Sequence, residues 1–242
     1  MIYAQSMRST QEELRFHRRG GKRTGAGRKP TGGKAGVPHR PRRFTGAGRH
    51  PIHVTLKVVR DLPGLRRRHV WKAVQWALAI TVARPDFRIC QLSIQGNHLH
   101  LVVEAETREA LARGMQGFQI SLAKQLNARI VVDGKPRRGK VFADRYHAEI
   151  LDSPTKTRHA LRYVLNNWRR HGIDRGSRYS LDPFATGHQF SGWQERQEDR
   201  FVPRGVELLP VSFPTTWLLD HGWKRGGGLI SLRDVPGPHG DD

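Results

Sequence analysis

Between Pro51 and Gly172 the spacing of apolar residues switches repeatedly between two and about three and a half. The order of those switches leaves few folds open. Ile52 to Val59 (IHVTLKVV) is β-branched and partly alternating, which predicts a strand. Asp61-Leu62-Pro63-Gly64 reads as a turn. From Arg68 to Arg84 the residues Val70, Trp71, Val74, Leu78 and Val82 recur at helical spacing, and Pro85 stops the run. Phe87 to Ile94 predicts a second strand, Gln95-Gly96-Asn97 a turn, and His98 to Glu104 a third strand. Arg108 to Ile130 predicts a long helix with Leu111, Met115, Phe118, Leu122 and Leu126 as its apolar stripe. Arg145 to Leu151 predicts a fourth strand. Ser153 then caps a helix with Pro154 at its first position and Leu161, Val164, Leu165 and Trp168 inward, ending near Gly172. The order β-α-β-β-α-β-α is that of an α+β, ferredoxin-like split βαβ fold: a four-stranded antiparallel sheet with helices on one face. The other face is then covered or functional.

Charge divides the chain. Lys and Arg number 43 against 21 acids, a formal net charge of +22. Residues 1–49 hold 13 of those cations and two acids, Glu12 and Glu13, and so carry net +11. They are rich in Gly and repeat Thr-Gly-Ala-Gly-Arg at 24–28 and 45–49. Such a segment cannot build a core, and it reads as a disordered basic arm that binds phosphates by counterion release. Residues 50–172 are the folded domain. Residues 173–242 read as a loop-rich extension whose small apolar patch, 215–223, docks on that domain. One cysteine, Cys90, excludes an internal disulfide and a multi-cysteine zinc site. The apolar run from Trp76 to Ala83 is far too short to span a bilayer, and the start of the chain has no apolar signal segment. The expectation is a cytoplasmic, bacterial protein with a nucleic-acid partner, nucleoid-associated when bound to DNA, and no membrane partner.

Asn97-His98-Leu99-His100-Leu101-Val102-Val103 is the sharpest chemical signal. Residues two apart on a strand share a face, so His98 and His100 project together while Leu99, Leu101 and Val103 enter the opposite layer. Two imidazoles side by side suit a divalent cation with open positions, which is a catalytic pattern; a structural zinc site wants four protein ligands. The bland alternative is two strand histidines without a metal.

In this context the chain resembles the IS200-like transposase family of HUH single-strand endonucleases, and more closely the REP-associated tyrosine transposases. The resemblance rests on Ile52-His53-Val54-Thr55, Gly96-Asn97-His98-Leu99-His100-Leu101, Asn127, Gly139-Lys140-Val141-Phe142 with Arg145-Tyr146, and Ala160-Leu161-Arg162-Tyr163-Val164-Leu165-Asn166-Asn167. It covers about residues 50 to 172. It implies transesterification on single-stranded or hairpin DNA. Two histidines, here His98 and His100, would hold Mg²⁺ or Mn²⁺. A polar residue of the long helix, best matched by Asn127, would complete the shell. A tyrosine of that helix would attack the scissile phosphate and form a 5′-phosphotyrosine link.

The long helix contains no tyrosine. Tyr163 and Tyr179 are the remaining weak candidates, Tyr163 being expected mainly to pack, Tyr146 being read as structural and Tyr3 lying in the arm. His53 receives no metal role, and His147 and Glu149 are read as solvated. Lys135, Arg137, Arg138 and Lys140 of the basic loop, with Arg158, Arg162, Arg169 and Arg170 of the last helix, are the expected phosphate contacts. Trp193 is a candidate for stacking on bases. Three readings stay open: a transposase-like enzyme, possibly homodimeric; a domesticated DNA- or RNA-binding module of the same fold that lost the reaction; and an RNA-binding sheet of similar strand order, which lacks the expected aromatics.

Overall fold

Alternation along the strands sorts the side chains of one sheet onto an apolar and a polar face. The strands are β1 (Ile52–Lys57), β2 (Phe87–Ile94), β3 (His98–Ala105) and β6 (His147–Ile150), in the order β2-β3-β1-β6 and antiparallel at every pairing. The protein's structure is a computed structural model that describes residues 48–175, 177, 180–199 and 207–237. Nearly all of the basic arm, with Tyr3, and also Tyr179, lie outside the described residues. The described residues belong to one unit, Phe44–Asp242.

On the apolar face, Ile52, Val54 and Leu56 of β1 pack with Leu92 and Ile94 of β2 and Leu99, Leu101 and Val103 of β3. Helices α1 (Arg68–Thr81) and α2 (Arg108–Arg129) cover them. Val70, Val74 and Leu78 come from α1, and Met115, Phe118 and Leu122 from α2, all close to fully buried. Thr107 caps α2 by accepting from the backbone N–H of Ala110. Gly114 lets α2 lie against Phe87, because a Cβ there would stand 2.2 Å from that ring. A short hairpin, β4 (Val131–Val132) and β5 (Lys135–Pro136), forms within the expected basic loop.

Helix α3 (Pro154–Arg170) departs from the expectation of helices on one face. Ala160, Leu161, Val164 and Leu165 share a cluster with Cys90 and Val102, whose side chains leave the sheet on the other side. Cys90 follows Ile89 and so leaves on that side, and the step in the β2–β3 pairing from Ile89↔Val103 to Gln91↔Val102 is a bulge that returns Leu92 and Ile94 to the apolar face. Burial pushes its thiol pKa well up, so it serves as a small apolar group. The start of α3 is as expected: Ser153 accepts from the Lys156 N–H, with Pro154 in the first turn.

The C-terminal segment completes this second layer. Trp193, Leu219, Trp223, Ile230 and Leu232 join the α3 cluster. The same segment covers edge strand β2, through Phe184 O accepting from Ile94 N at 2.8 Å and Ile89 O from Ser212 N at 2.9 Å. Trp193 is buried and donates to Gly187 O, which removes it as a stacking surface for bases.

One buried anion anchors the segment. Glu104 is 2% exposed, and its two oxygens accept from the backbone N–H and hydroxyl of both Thr215 and Thr216 at 2.8–2.9 Å. Thr216 in turn caps the short helix α4 (Trp217–Asp220). Four donors on one carboxylate satisfy a charge that burial alone would penalise. Glu104→Ala removes the acceptors and takes the partner from two N–H groups and two hydroxyls at the anchor. Urea unfolding is expected to show a loss of about 3 kcal/mol, whereas Glu106→Ala, at an exposed neighbour, should change stability by less than about 0.5 kcal/mol.

Candidate active site

The two histidines of β3 are brought together as strand geometry requires. His98 Nε2 and His100 Nε2 lie 2.9 Å apart, with ring planes at 82°. Lys57 and Thr55 of β1 pair in register with them. Each ring has a fixed rear contact. The Nδ1–H of His98 donates to Asn97 Oδ1 at 2.7 Å, because an amide oxygen only accepts. His98 Nε2 of the neutral ring therefore carries a lone pair. His100 Nδ1 is 3.2 Å from His53 Nε2 and 3.3 Å from Thr55 Oγ1. His53 and His100 are each 3% exposed, and their rings stack 5.2 Å apart.

Helix α3 lays a polar stripe over these rings. Tyr163, Asn167 and His171 follow one another at steps of four along one side of the helix and its cap. The Tyr163 ring stands edge-on 4.9 Å from the His100 ring and 5.8 Å from the His53 ring. The His171 ring is 6.5 Å from that of His98. Asn167 lies between the two, one turn from each. It is fully buried, and neither its Oδ1 nor its Nδ2 has a hydrogen-bond partner. Buried amides are almost always paired, so this one marks a place where a polar ligand is missing. Asn167, present in the family-like motif of this helix, and His171 receive no site role from the sequence. The signal for them was the polar step-of-four stripe on an otherwise apolar helix side.

Among the described residues no group of three His, Cys, Asp or Glu side chains makes a metal site. A cation would instead have two imidazoles, an amide and oxygens of a nucleic acid. The residues present fit that demand. The two Nε2 atoms converge, Asn97 holds one tautomer from behind, and the unpaired Asn167 amide is a neutral oxygen donor of the right hardness for Mg²⁺ or Mn²⁺.

The structure corrects two expectations about the long helix. Helix α2 packs on the apolar side of the sheet, against Leu99, Leu101 and Val103, while the imidazoles of the same strand point the other way. No tyrosine on α2 would face them. Asn127 likewise lies off the site: its Nδ2 donates to Gly139 O at 3.0 Å and its Oδ1 accepts from Arg137 Nη1 at 2.8 Å. It organises the hairpin loop. Tyr146 packs against the α1–α2 core, where burial raises its phenol pKa. Among the described residues, Tyr163 is the tyrosine brought to the histidines.

Several expected phosphate contacts are structural. Arg137, 8% exposed, joins Asn127 and Lys140 O, and pairs with Asp61 at 2.8 Å. It is the first cause of the lowered Asp61 pKa. Arg158 donates to Gly228 O and Leu229 O at 3.0 Å, and Arg169 to Asp174 and Ser180 O at 2.9 Å. Arg170 donates to Gly237 O at 2.8 Å. A guanidinium fork suits the carbonyls that chain ends and loops leave open, and sequence spacing does not reveal that use. Lys135, Arg138 and Lys140 are exposed. Arg162 lines a cavity of about 300 Å³ with Tyr163, Glu149, Lys156 and His159.

Residues 53–167 match the family model described as transposase IS200 like. This part of the chain is an IS200-like transposase domain. The match starts at His53 and ends at Asn167, so it spans the imidazole cluster and the α3 stripe. No curated protein matches the chain. A solved structure of a REP-associated tyrosine transposase bound to a REP hairpin is similar, at 16% identity and a TM-score of 0.49, covering 72% of this chain and 92% of that one. Beside the transposase domain, no helix among the described residues is long and apolar enough to cross a membrane.

The structural use of Arg158 is measurable. Arg158→Met is expected to lower stability by about 2 kcal/mol through lost bonds to the C-terminal segment. The salt dependence of oligonucleotide binding should stay unchanged. A shallower salt slope at full stability would return Arg158 to the phosphate contacts.

Proposed function

We infer that this transposase domain cuts and rejoins single-stranded or hairpin DNA, with Tyr163 as nucleophile and His98, His100 and Asn167 as the holders of a divalent cation. One observation carries the reading: the phenol of α3 stands 4.9 Å from His100, on the sheet face where two Nε2 atoms converge. The coarse statement, a transposase-like domain, follows from the family match. The chemistry is the inference.

Tyr163 Oη forms the new bond to phosphorus and the P–O3′ bond breaks. The phenol proton leaves to water, and the departing 3′ oxygen takes one up. The products are a 5′-phosphotyrosine and a free 3′-hydroxyl, with no energy-rich cofactor consumed. A divalent cation, Mg²⁺ or Mn²⁺, supplies Lewis-acid polarisation of the scissile phosphate when bound. With Nδ1–H of His98 donating to Asn97, the two Nε2 atoms, 2.9 Å apart, hold at most one proton between them, and a bound cation would take its place. Asn97 orients His98 from behind. Packing of α3 on Val102 keeps the phenol near the imidazoles and excludes bulk water, which strengthens every polar interaction inside.

Arg162 shares the cavity with Tyr163, and its buried Nε has no hydrogen-bond partner. It supplies a phosphate contact beside the nucleophile. Lys135, Arg138 and Lys140 add exposed cations, and residues 1–49 bring net +11. Binding should therefore fall steeply as salt rises. Residues whose charge is spent on carbonyls, such as Arg158, contribute little to that slope.

The test is covalent trapping. A hairpin oligonucleotide library with a nicked or phosphorothiolate-containing single-stranded flank, incubated with Mn²⁺, is expected to yield a protein–DNA adduct that peptide mapping places on Tyr163. Tyr163→Phe should remove the adduct at least 10³-fold, in the range typical of a lost nucleophile or key catalytic group, and leave hairpin binding within threefold. An undiminished adduct in Tyr163→Phe would contradict the assignment. Strong binding with no adduct from the wild-type chain would favour the non-catalytic DNA-binding reading.

A further inference from the structure

His53 has no task in the reaction above, yet its imidazole is buried, at 3% exposed. Its neighbour across β3 is Val102, an apolar residue of the α3 layer. An aliphatic side chain would fill that position and avoid the cost of burying an imidazole. The polar atoms of His53 therefore need a purpose, and the geometry supplies one: Nε2 is 3.2 Å from Nδ1 of His100.

We propose that His53 is a positioning residue that accepts the Nδ1–H of His100 and so holds His100 in the tautomer whose Nε2 lone pair faces His98. The inference rests on the cation site of the preceding section. A neutral imidazole carries one N–H and one lone pair. If Nδ1 of His100 bears the proton, Nε2 is a ligand; if Nε2 bears it, the ring cannot bind a cation. Thr55 Oγ1, 3.3 Å from the same Nδ1, cannot make the choice, because a hydroxyl both donates and accepts. His53 makes it when its own proton sits on Nδ1. Glu149 is the register partner of His53 on β6 and shares its sheet face. The proposed contact of His53 with His100 is an orienting arrangement of the kind that tunes ligands in metal sites generally. His98 has its own device, Asn97. The two ligands are thus oriented from separate strands, His100 by β1 and His98 by the turn before β3.

Two readouts test this on the full chain. The first is long-range ¹H–¹⁵N NMR of the metal-free, ¹⁵N-histidine-labelled His98→Ala protein, in which the imidazole 2.9 Å from His100 Nε2 is gone and the tautomer of His100 reports its rear contact alone. The Nδ1–H tautomer is expected there, and a shift toward Nε2–H when His53→Phe, which fills the volume without an acceptor, is added. The second is Mn²⁺ affinity, followed by the free-ion signal in electron paramagnetic resonance. His53→Phe should weaken it about 10- to 100-fold, as loss of an orienting partner does. His53→Gln, which restores an acceptor, should recover part of it. Hairpin binding in EDTA should stay within twofold in both variants.

His100 with its proton on Nε2 in the His98→Ala protein overturns the proposal, whatever the metal does. So does His53→Phe binding Mn²⁺ as the wild type does while His98→Ala fails to. A wild-type chain that takes up no Mn²⁺, while His100 of the His98→Ala protein holds the Nδ1–H tautomer and loses it when His53→Phe is added, would contradict the cation reading and uphold the orienting role. If His53→Phe does not fold, the His98→Ala spectrum and His53→Gln carry the test.

Discussion

Everything in this domain depends on the two-residue alternation of strand β3. Leu99, Leu101 and Val103 go to one side and build the α1–α2 core. His98 and His100 go to the other and meet each other. A slip of one residue in register would bury both imidazoles in the larger core and send three aliphatic side chains to the active face. The core and the site therefore enforce each other. Selection for packing on one side holds the geometry on the other.

The second layer turns that polar face into a chemical environment. Helix α3 crosses it, and the C-terminal segment, anchored by Glu104 and by the arginines of α3, closes the rest. The cost is visible. Two imidazoles and the amide of Asn167 are buried, and that amide has no partner, a penalty of about 1–3 kcal/mol for such a group. Folds tolerate local conflict of this kind at functional sites and offset it elsewhere. Here the offset comes from the apolar stripe of the same helix, Leu161, Val164, Leu165 and Trp168, all buried.

The element order was legible because it rests on periodicity. Strand β2 and the N-cap of α3 were read to the residue, and the HxH pair follows from the pleat alone. The expected helix placement was half right, since nothing in a stripe says which face of a sheet it covers. That gap directed the expected nucleophile to α2, which lies behind the sheet, while Tyr163 on α3, read mainly as packing, is the one beside His100 among the described tyrosines. The same gap placed Asn127 at the site, although its amide is bonded to Gly139 and Arg137. Charge was the other blind spot. Arg137, Arg158 and Arg169 look like phosphate contacts in a basic chain, but their guanidinium groups hold loops and chain ends. Such partners lie 3 to 76 residues away in sequence. Local spacing carries no trace of those that lie beyond a helical turn.

What separates this account from a purely architectural one is which side of the sheet holds the ion. The most direct measurement is an anomalous-difference map from crystals of the chain grown with Mn²⁺. The account requires a peak bonded to Nε2 of His98 and of His100, on the α3 side and within reach of Asn167. A peak at Asn127 on the α1–α2 side, or histidine rings that stay bare in crystals whose protein cuts DNA with Mn²⁺, would contradict it.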